Sequence, residues 1–328
     1  LSCTGPAAIS MKILVAGELN VDLVLQNYSS FPALGREVLV EDVSLMLGSA
    51  SAICAAALAK LGDEVSFIGK VGEDAWGDLC LKSLSGAAVD CSLVLIDPAL
   101  KTGITVSITS STDRALVTYL GSIAELRAGD IQDRYLKQFD HLHVSSFFLQ
   151  KGLRAELKSV LARAREYGLT TSLDPGFDPE DIWGPDLVDV LREVDVFLPN
   201  EIELKAVTRE RRESDALRAL ENRRTLVVAK LGAHGCMAME NGIVISMPGF
   251  PITPIDTTGA GDTFNAGFLH AWLHKAGLSE AMRFGSACAA LSTLACGGTG
   301  SQPTAAQASE FMARYASAQN ERGLGAGL

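Results

Sequence analysis

The run Ile255-Asp256-Thr257-Thr258-Gly259-Ala260-Gly261-Asp262-Thr263-Phe264 concentrates more chemistry than any other stretch of the chain. A glycine-rich turn passes directly into an apolar-periodic helix, so backbone N–H groups converge at a positive helix end and form an anion hole. Asp262 stands in the first turn beside it. A carboxylate there can simply stabilise the helix dipole. Next to an anion site it can also take a proton from an attacking hydroxyl. Asn200 and Glu203, three apart at another helix start, have the spacing of a capping box. Asn20 and Asp22, two apart in a strand-like segment, put both side chains on one face, where they could hold adjacent hydroxyls or line a solvent-facing edge.

Elements that could position these groups follow from periodicity. Short apolar runs predict strands at 12–17, 65–69, 141–146, 169–174, 194–198 and 225–231. Helical patterns alternate with them at 49–61, 75–84, 153–167 and 201–207, and three more close the chain at 261–276, 279–296 and 304–318. This rhythm predicts an α/β fold, a mainly parallel central sheet with helices on both faces. Four alternating segments, at about 19–26, 38–47, 103–110 and 115–120, break the rhythm and predict a small separate antiparallel sheet. A length of 328 residues suggests about two domains. No linker divides the chain, so the expectation is one domain over 11–320. Residues 1–10 read as an upstream extension and 321–328 as a flexible tail.

Composition narrows the function classes. With 48% apolar residues the chain is neither disordered nor fibrous, and 28 Lys+Arg against 39 Asp+Glu give a net charge of -11. Nucleic acid and anionic membrane both require a basic footprint, so neither is an expected partner. The seven cysteines are odd in number and irregular in spacing, as expected of free thiols in a reducing cytoplasm. The uncharged first ten residues do not form a signal peptide, and no apolar run reaches the length of a membrane span.

Four segments, in order along 11–318, resemble the signatures of the ribokinase-like, or PfkB, carbohydrate kinases. They are Gly69-Lys-Val-Gly72-Glu-Asp74-Ala-Trp-Gly77, Pro199-Asn200-Glu-Ile-Glu203, Lys230-Leu-Gly232-Ala-His-Gly235 and Asp256-Thr-Thr-Gly-Ala-Gly-Asp262. The resemblance implies an ATP-dependent kinase acting on a sugar or sugar-like alcohol, with Asp262 as catalytic base. The amides of Gly259, Ala260 and Gly261 would stabilise the transferring phosphoryl group. It implies that Glu203 orders a magnesium–water cluster near the ATP phosphates and that Asn200 and Glu203 bind ATP. Lys230, Gly232, Gly235 and Cys288 would lie against the nucleotide. Asp256, Thr258, Ala295, Gly298, Gly300 and Thr304 would form a potassium site. Asn20, Asp22, Gly48 and Ser49 would meet the acceptor, and the four alternating segments would be a lid through which two copies could pair.

Several alternatives stay open. Lys230 stands where relatives often have a small polar residue and could merely end a strand. Cys288 could be a small buried hydrophobe, and the glycine-rich 296–303 turn a helix C-terminus. The acceptor pocket departs from the family pattern: Leu47 replaces the first of two glycines, Ala52 an asparagine, and Asp174-Pro-Gly176-Phe-Asp178 stands for Asp-x-Asn-x-Arg. The sugar is therefore not named. A nucleoside kinase of the same family, suggested by an apolar wall at Ala52, and a non-catalytic sugar or nucleotide sensor are the competing functions. A Rossmann dehydrogenase fails because 15–20 lacks the G-x-G-x-x-G turn, and no P-loop is present. His270 and His274 have a zinc-compatible spacing without an HExxH pattern. His141 and His143 read as packing residues, and 209–224 as a solvated face.

Overall fold

The computed structural model describes residues 10–28, 30–109 and 114–324. Most of the expected 1–10 extension, position 110 and residues 325–328 therefore lie outside the described residues. In chain order the strands are β1 (Lys12–Ala16), β2 (Asn20–Gln26), β3 (Asp42–Leu47), β4 (Glu64–Ile68), β5 (Lys70–Gly72), β6 (Leu95–Asp97) and β7 (Gly103–Thr109). They continue as β8 (Arg114–Tyr119), β9 (His141–Val144), β10 (Thr170–Leu173), β11 (Val196–Phe197), β12 (Leu226–Lys230), β13 (Cys236–Glu240) and β14 (Ile243–Met247).

β1 is apolar throughout because both its faces are covered. Ile13 and Val15 enter one core, Leu14 and Ala16 the other. Around it stands an eight-stranded sheet in the order β14-β13-β12-β11-β10-β9-β1-β4. The strands from β4 to β12 run parallel, and β13 and β14 add an antiparallel edge. That edge was not anticipated, although Asn241-Gly242, with φ of 53° and 76°, is the signature of a tight hairpin. One core face packs the helix Ala260–Leu273 between the helices Ala50–Leu61 and Leu278–Ser292.

The second sheet has the order β3-β2-β7-β8. The expectation of an antiparallel sheet is corrected here, because β2 and β7 pair in parallel. A long excursion through the α/β body separates them, and such crossovers join parallel strands, whereas the short links within β2–β3 and β7–β8 give antiparallel pairs. The helix expected at 153–167 is two pieces, Lys151–Arg154 and Leu157–Glu166. The last helix, Ala305–Leu324, takes up the first half of the expected tail. No helix among the described residues is long and apolar enough to cross a membrane.

Candidate active site

Parallel strands leave one edge of the sheet where every strand ends, and loops there can carry chemistry without disturbing the core. Glu18 follows β1, Ser146 follows β9, Asp174 follows β10, Asn200 follows β11, and Lys230 closes β12. The helix Ala260–Leu273 begins at the same edge, with Gly259 (φ 72°) as its N-cap and Asp262 in its first turn.

Lys230 is the hub of this edge. Its Nζ donates to Asp174 Oδ2 at 2.7 Å and to Asn265 Oδ1 at 3.0 Å, while Asn265 Nδ2 donates to the same Asp174 oxygen. The ammonium also lies beside the first turn of this helix, 3.8 Å from where a Cβ on Gly261 would sit. Burial alone would raise the Asp174 carboxyl, but the Lys230 ammonium and the donors on it hold it below the usual carboxylate range. Burial works against the charge on Lys230, yet Asp174 and Glu203 hold its ammonium above the ordinary lysine value.

Asp262 is half-buried in the same space. Burial pushes its carboxyl up to about 8, with Asp174 adding to the rise and Lys230 restraining it. Of the three amides expected to form the anion hole, those of Gly259, Ala260 and Gly261, one has a partner within the turn. Ala260 N–H is spent on Thr257 O at 3.2 Å. Gly261 and Asp262, the next two residues of the first turn, carry amides that no helical carbonyl can reach. Asn200 and Glu203 form the capping box in full: Asn200 Oδ1 accepts from Glu203 N at 2.9 Å, and Glu203 Oε2 accepts from Asn200 N at 2.8 Å. Burial pushes Glu203 up to about 7, again with Asp174 adding and Lys230 restraining.

Where the second sheet begins, Asn20 Nδ2 donates to Asp22 Oδ1 at 2.9 Å, so the two share a face as their spacing required. Gly48 lies under them. A Cβ there would fall 2.1 Å from Asp22 Oδ1 and 2.6 Å from Asn20 Nδ2, which only glycine avoids. Ser49 caps the helix Ala50–Leu61 with its Oγ and holds φ at 74°. Its hydroxyl donates to Glu18 O. Ala52 has 0% exposure and belongs to the core, so it offers an acceptor no wall, and the case for a nucleoside built on it falls away. Gly176 (φ 62°) packs on Ser146, and Asp178 accepts three amides of its own loop, from Glu180, Ile182 and Trp183.

Sequence reasoning missed Glu18, Ser51, Ser146, Asp174 and Asn265 as site groups. Glu18 accepts from Ser146 Oγ at 2.8 Å and from the Ser51 hydroxyl, and burial raises its carboxyl despite them. Two of them carried a local signal: Asn265 sits three residues after Asp262 on one helix face, and Asp174 heads the Asp174-Pro-Gly176-Phe-Asp178 segment.

Other expected site residues fall as follows. Asp256 joins two loops by accepting from Thr258 N and Gly297 N, each at 2.8 Å, and Gly298 packs against Gly259. Ala295 and Gly300 lie exposed in the same turn. Thr304 starts the last helix, with its amide and hydroxyl both on Gln307 Oε1. Gly232 and Gly235 form the turn from β12 to β13. Cys288 is corrected: it has 0% exposure, and a Cβ on Gly267 would meet its Sγ at 2.8 Å. The thiol is packing between two helices and has no surface for a nucleotide. Asp74, in the first family segment, caps the helix Ala75–Gly86 and accepts from Thr102 N. An open cleft of about 530 Å³ meets this site only at Gly300 and Thr304, so its size says nothing about the chemistry at Asp262.

A large, mostly parallel sheet covered on both faces, with a small second sheet, is the fold of solved ribokinase structures. Superposition on the structure of Arabidopsis thaliana ribokinase complexed with ribose and ATP gives a TM-score of 0.79 at 24% identity, covering 92% of this chain and 99% of that one. At that identity the likeness establishes the fold. In sequence, the chain is 31% identical over 309 residues to the ATP-dependent ribose-1-phosphate kinase of Halopiger xanaduensis, covering 92% of this chain and 98% of that protein. It is 28% identical over 310 residues to the ribokinase of Haemophilus influenzae, with the same coverage. The profile of the pfkB family carbohydrate kinases matches residues 10–305, and the chain belongs to that family.

Proposed function

We propose that the chain transfers the γ-phosphoryl group of ATP to a hydroxyl of a sugar or sugar-like alcohol, with Asp262 as general base. The observation that carries this is the meeting of a high-pKa carboxylate, the first-turn amides of Gly261 and Asp262 and the Lys230 ammonium at one helix start. Phosphoryl transfer needs positioning and charge stabilisation more than covalent help, and these are the groups that supply it. Asp262 accepts the acceptor's proton. The amides and Lys230 take up negative charge on the transferred group. Asn20 and Asp22 orient the acceptor through its hydroxyls, and the lid over them excludes water.

Glu203 fits a magnesium ion, because a hard cation that keeps most of its waters needs few carboxylates. Burial and the neighbouring Asp174 raise the Glu203 carboxyl to about 7, and a bound cation would favour the ionised form. When bound, the ion neutralises phosphate charge. A potassium ion would be held by oxygens of Asp256, Thr258, Ala295, Gly298, Gly300 and Thr304, in the turn that Asp256 ties together by accepting from Thr258 N and Gly297 N. Free thiols at Cys54, Cys80, Cys91, Cys236, Cys288 and Cys296 support a cytoplasmic setting. Exposed Val43, Leu45 and Val117 support pairing of two copies through the lid, which the mass in solution tests.

The test is an ADP-release screen over ribose, ribose 1-phosphate, hexoses and nucleosides with ATP and Mg²⁺. Asp262→Asn should fold and bind nucleotide but lose at least ~10²-fold in kcat, the usual share of a general base. Undiminished turnover in that variant would refute the assignment.

A further inference from the structure

Two turns beyond Asp262 the same helix carries His270, and His274 follows as its C-cap. Their spacing puts both imidazoles on one face, and a pair of histidines alone is a weak metal ligand set. The fold supplies a third donor from 207 positions away. Asp63 Oδ2 lies 2.8 Å from His270 Nδ1, and Asp63 Oδ1 lies 2.9 Å from His274 Nε2. The Asp63 side chain has 0% exposure, against 17% and 29% for the two histidines. Among the described residues no lysine or arginine pairs with it; its side-chain hydrogen-bond partners are the two imidazoles.

The donors are held in place before any ion arrives. Asp63 follows Gly62, the left-handed cap of the helix Ala50–Leu61, and its amide donates to Leu58 O. The His270 ring stacks on Phe284 with centroids 5.7 Å apart. One donor atom from each residue lies within 4.8 Å of the other two. A tetrahedral ion with bonds of about 2.0–2.2 Å needs donor–donor edges of roughly 3.4 Å, within a small side-chain adjustment of this arrangement. Two imidazoles and one carboxylate favour zinc-class ions over magnesium or calcium, which take all-oxygen sets. The helix C-terminus adds partial negative charge.

We propose that Asp63, His270 and His274 bind one zinc-class divalent ion, with water in the fourth place on the exposed His274 side. The ion ties the far end of the helix that begins at Asp262 to the turn preceding β4. Eight residues at 1.5 Å each place it about 12 Å along the helix from Asp262, so it fixes the helix and takes no part in the transfer.

The test uses the full chain, freed of metal by chelator, titrated with Co²⁺ and with Zn²⁺ alone, without Mg²⁺ or nucleotide. One ion per chain, a metal-dependent rise in Tm and two hyperfine-shifted imidazole N–H resonances with Co²⁺ are expected. His274→Gln should weaken binding by more than ~10²-fold, since losing even an outer-shell partner costs up to that much. Cys296→Ser should leave binding unchanged. Binding as tight in the His270→Gln/His274→Gln protein as in the parent, a thiolate-to-cobalt charge-transfer band, or absence of the imidazole resonances from the parent protein would each overturn the site. The last two readouts need no variant to fold.

Discussion

Lys230→Met removes one charge and keeps the length of the side chain, and two separable losses should follow. The first is in stability. Lys230 Nζ and Asp174 Oδ2 are 2.7 Å apart, with side-chain exposures of 11% and 6%. At an effective dielectric of about 20 their gross attraction is about 6 kcal/mol, and removing one partner of such a buried pair costs about 3–5 kcal/mol. That is a large part of a typical total of 5–15 kcal/mol. Asp174 would keep only its donors on Asn265 and Gly176. The second loss is in turnover. An ammonium beside the anion hole should be worth what one oxyanion donor is worth, about 10²–10³ in kcat.

The double variant Lys230→Met/Asp174→Asn separates the two. With no uncompensated carboxylate it should recover most of the urea midpoint, yet its ADP release at saturating substrates should stay low. The pH dependence gives a second check. In the parent, Asp174 has a depressed folded pKa, so its contribution is present above the unfolded value of about 3.9 and is lost as pH falls through the folded one. In Lys230→Met the buried carboxyl is raised instead, so the folded state binds more protons and stability falls as pH rises. The gap between the two proteins should widen with pH, by at most ~1.4 kcal/mol per unit. If the double variant regains turnover along with stability, Lys230 serves the fold alone and its place in the mechanism is wrong.

The free-enzyme kcat/KM should rise with pH towards about 8 and level off above it, because Asp262 acts only as a carboxylate and its pKa is raised. A profile flat through neutral pH would contradict the base assignment. Gly48→Ala would put a Cβ 2.1 Å from Asp22 Oδ1 and so displace Asp22 or Asn20. Steady-state kinetics should show acceptor kcat/KM falling by up to ~10²-fold, the effect of a misplacement of about 1 Å, with nucleotide affinity unchanged. Equal losses on both substrates would mean that Gly48 shapes more than the acceptor site.

What could be read from the chain was what is written locally. The apolar run of β1, the capping box of Asn200 and Glu203, and the glycine turn into the Asp262 helix each fit within a few residues, so spacing alone places them. The partners of Lys230 were hidden because Asp174 is 56 positions away, and Asn265 and Asp174 are 91 apart. Glu18 and Ser146 meet across 128 positions. No periodicity records such meetings; they exist only once parallel strands bring their ends to one edge. The direction of β7 against β2 was hidden for the same reason, since alternation fixes which face is buried and says nothing of strand sense. Cys288 shows the opposite case. The apolar, small-residue pattern around it already described a core position, and the structure keeps it there against Gly267.

The charge of -11 sharpens what Lys230 must do. Asp174, Glu203 and Asp262 all crowd the edge to which the proposed reaction brings an anionic nucleotide, and each of them acts to hold the Lys230 ammonium charged. The dependence is mutual, because Lys230 in turn restrains the rise of Glu203 and Asp262. Acids that look out of place in a phosphate site therefore secure the cation that offsets them. They leave Asp262 the least stabilised carboxylate of the group, which is what a proton acceptor requires. A basic surface would draw nucleotide in from a distance but would also depress Asp262 and weaken it as a base. Confining the positive charge to one ammonium, one helix end and, in the proposed reaction, cations that arrive from solution would keep the field local.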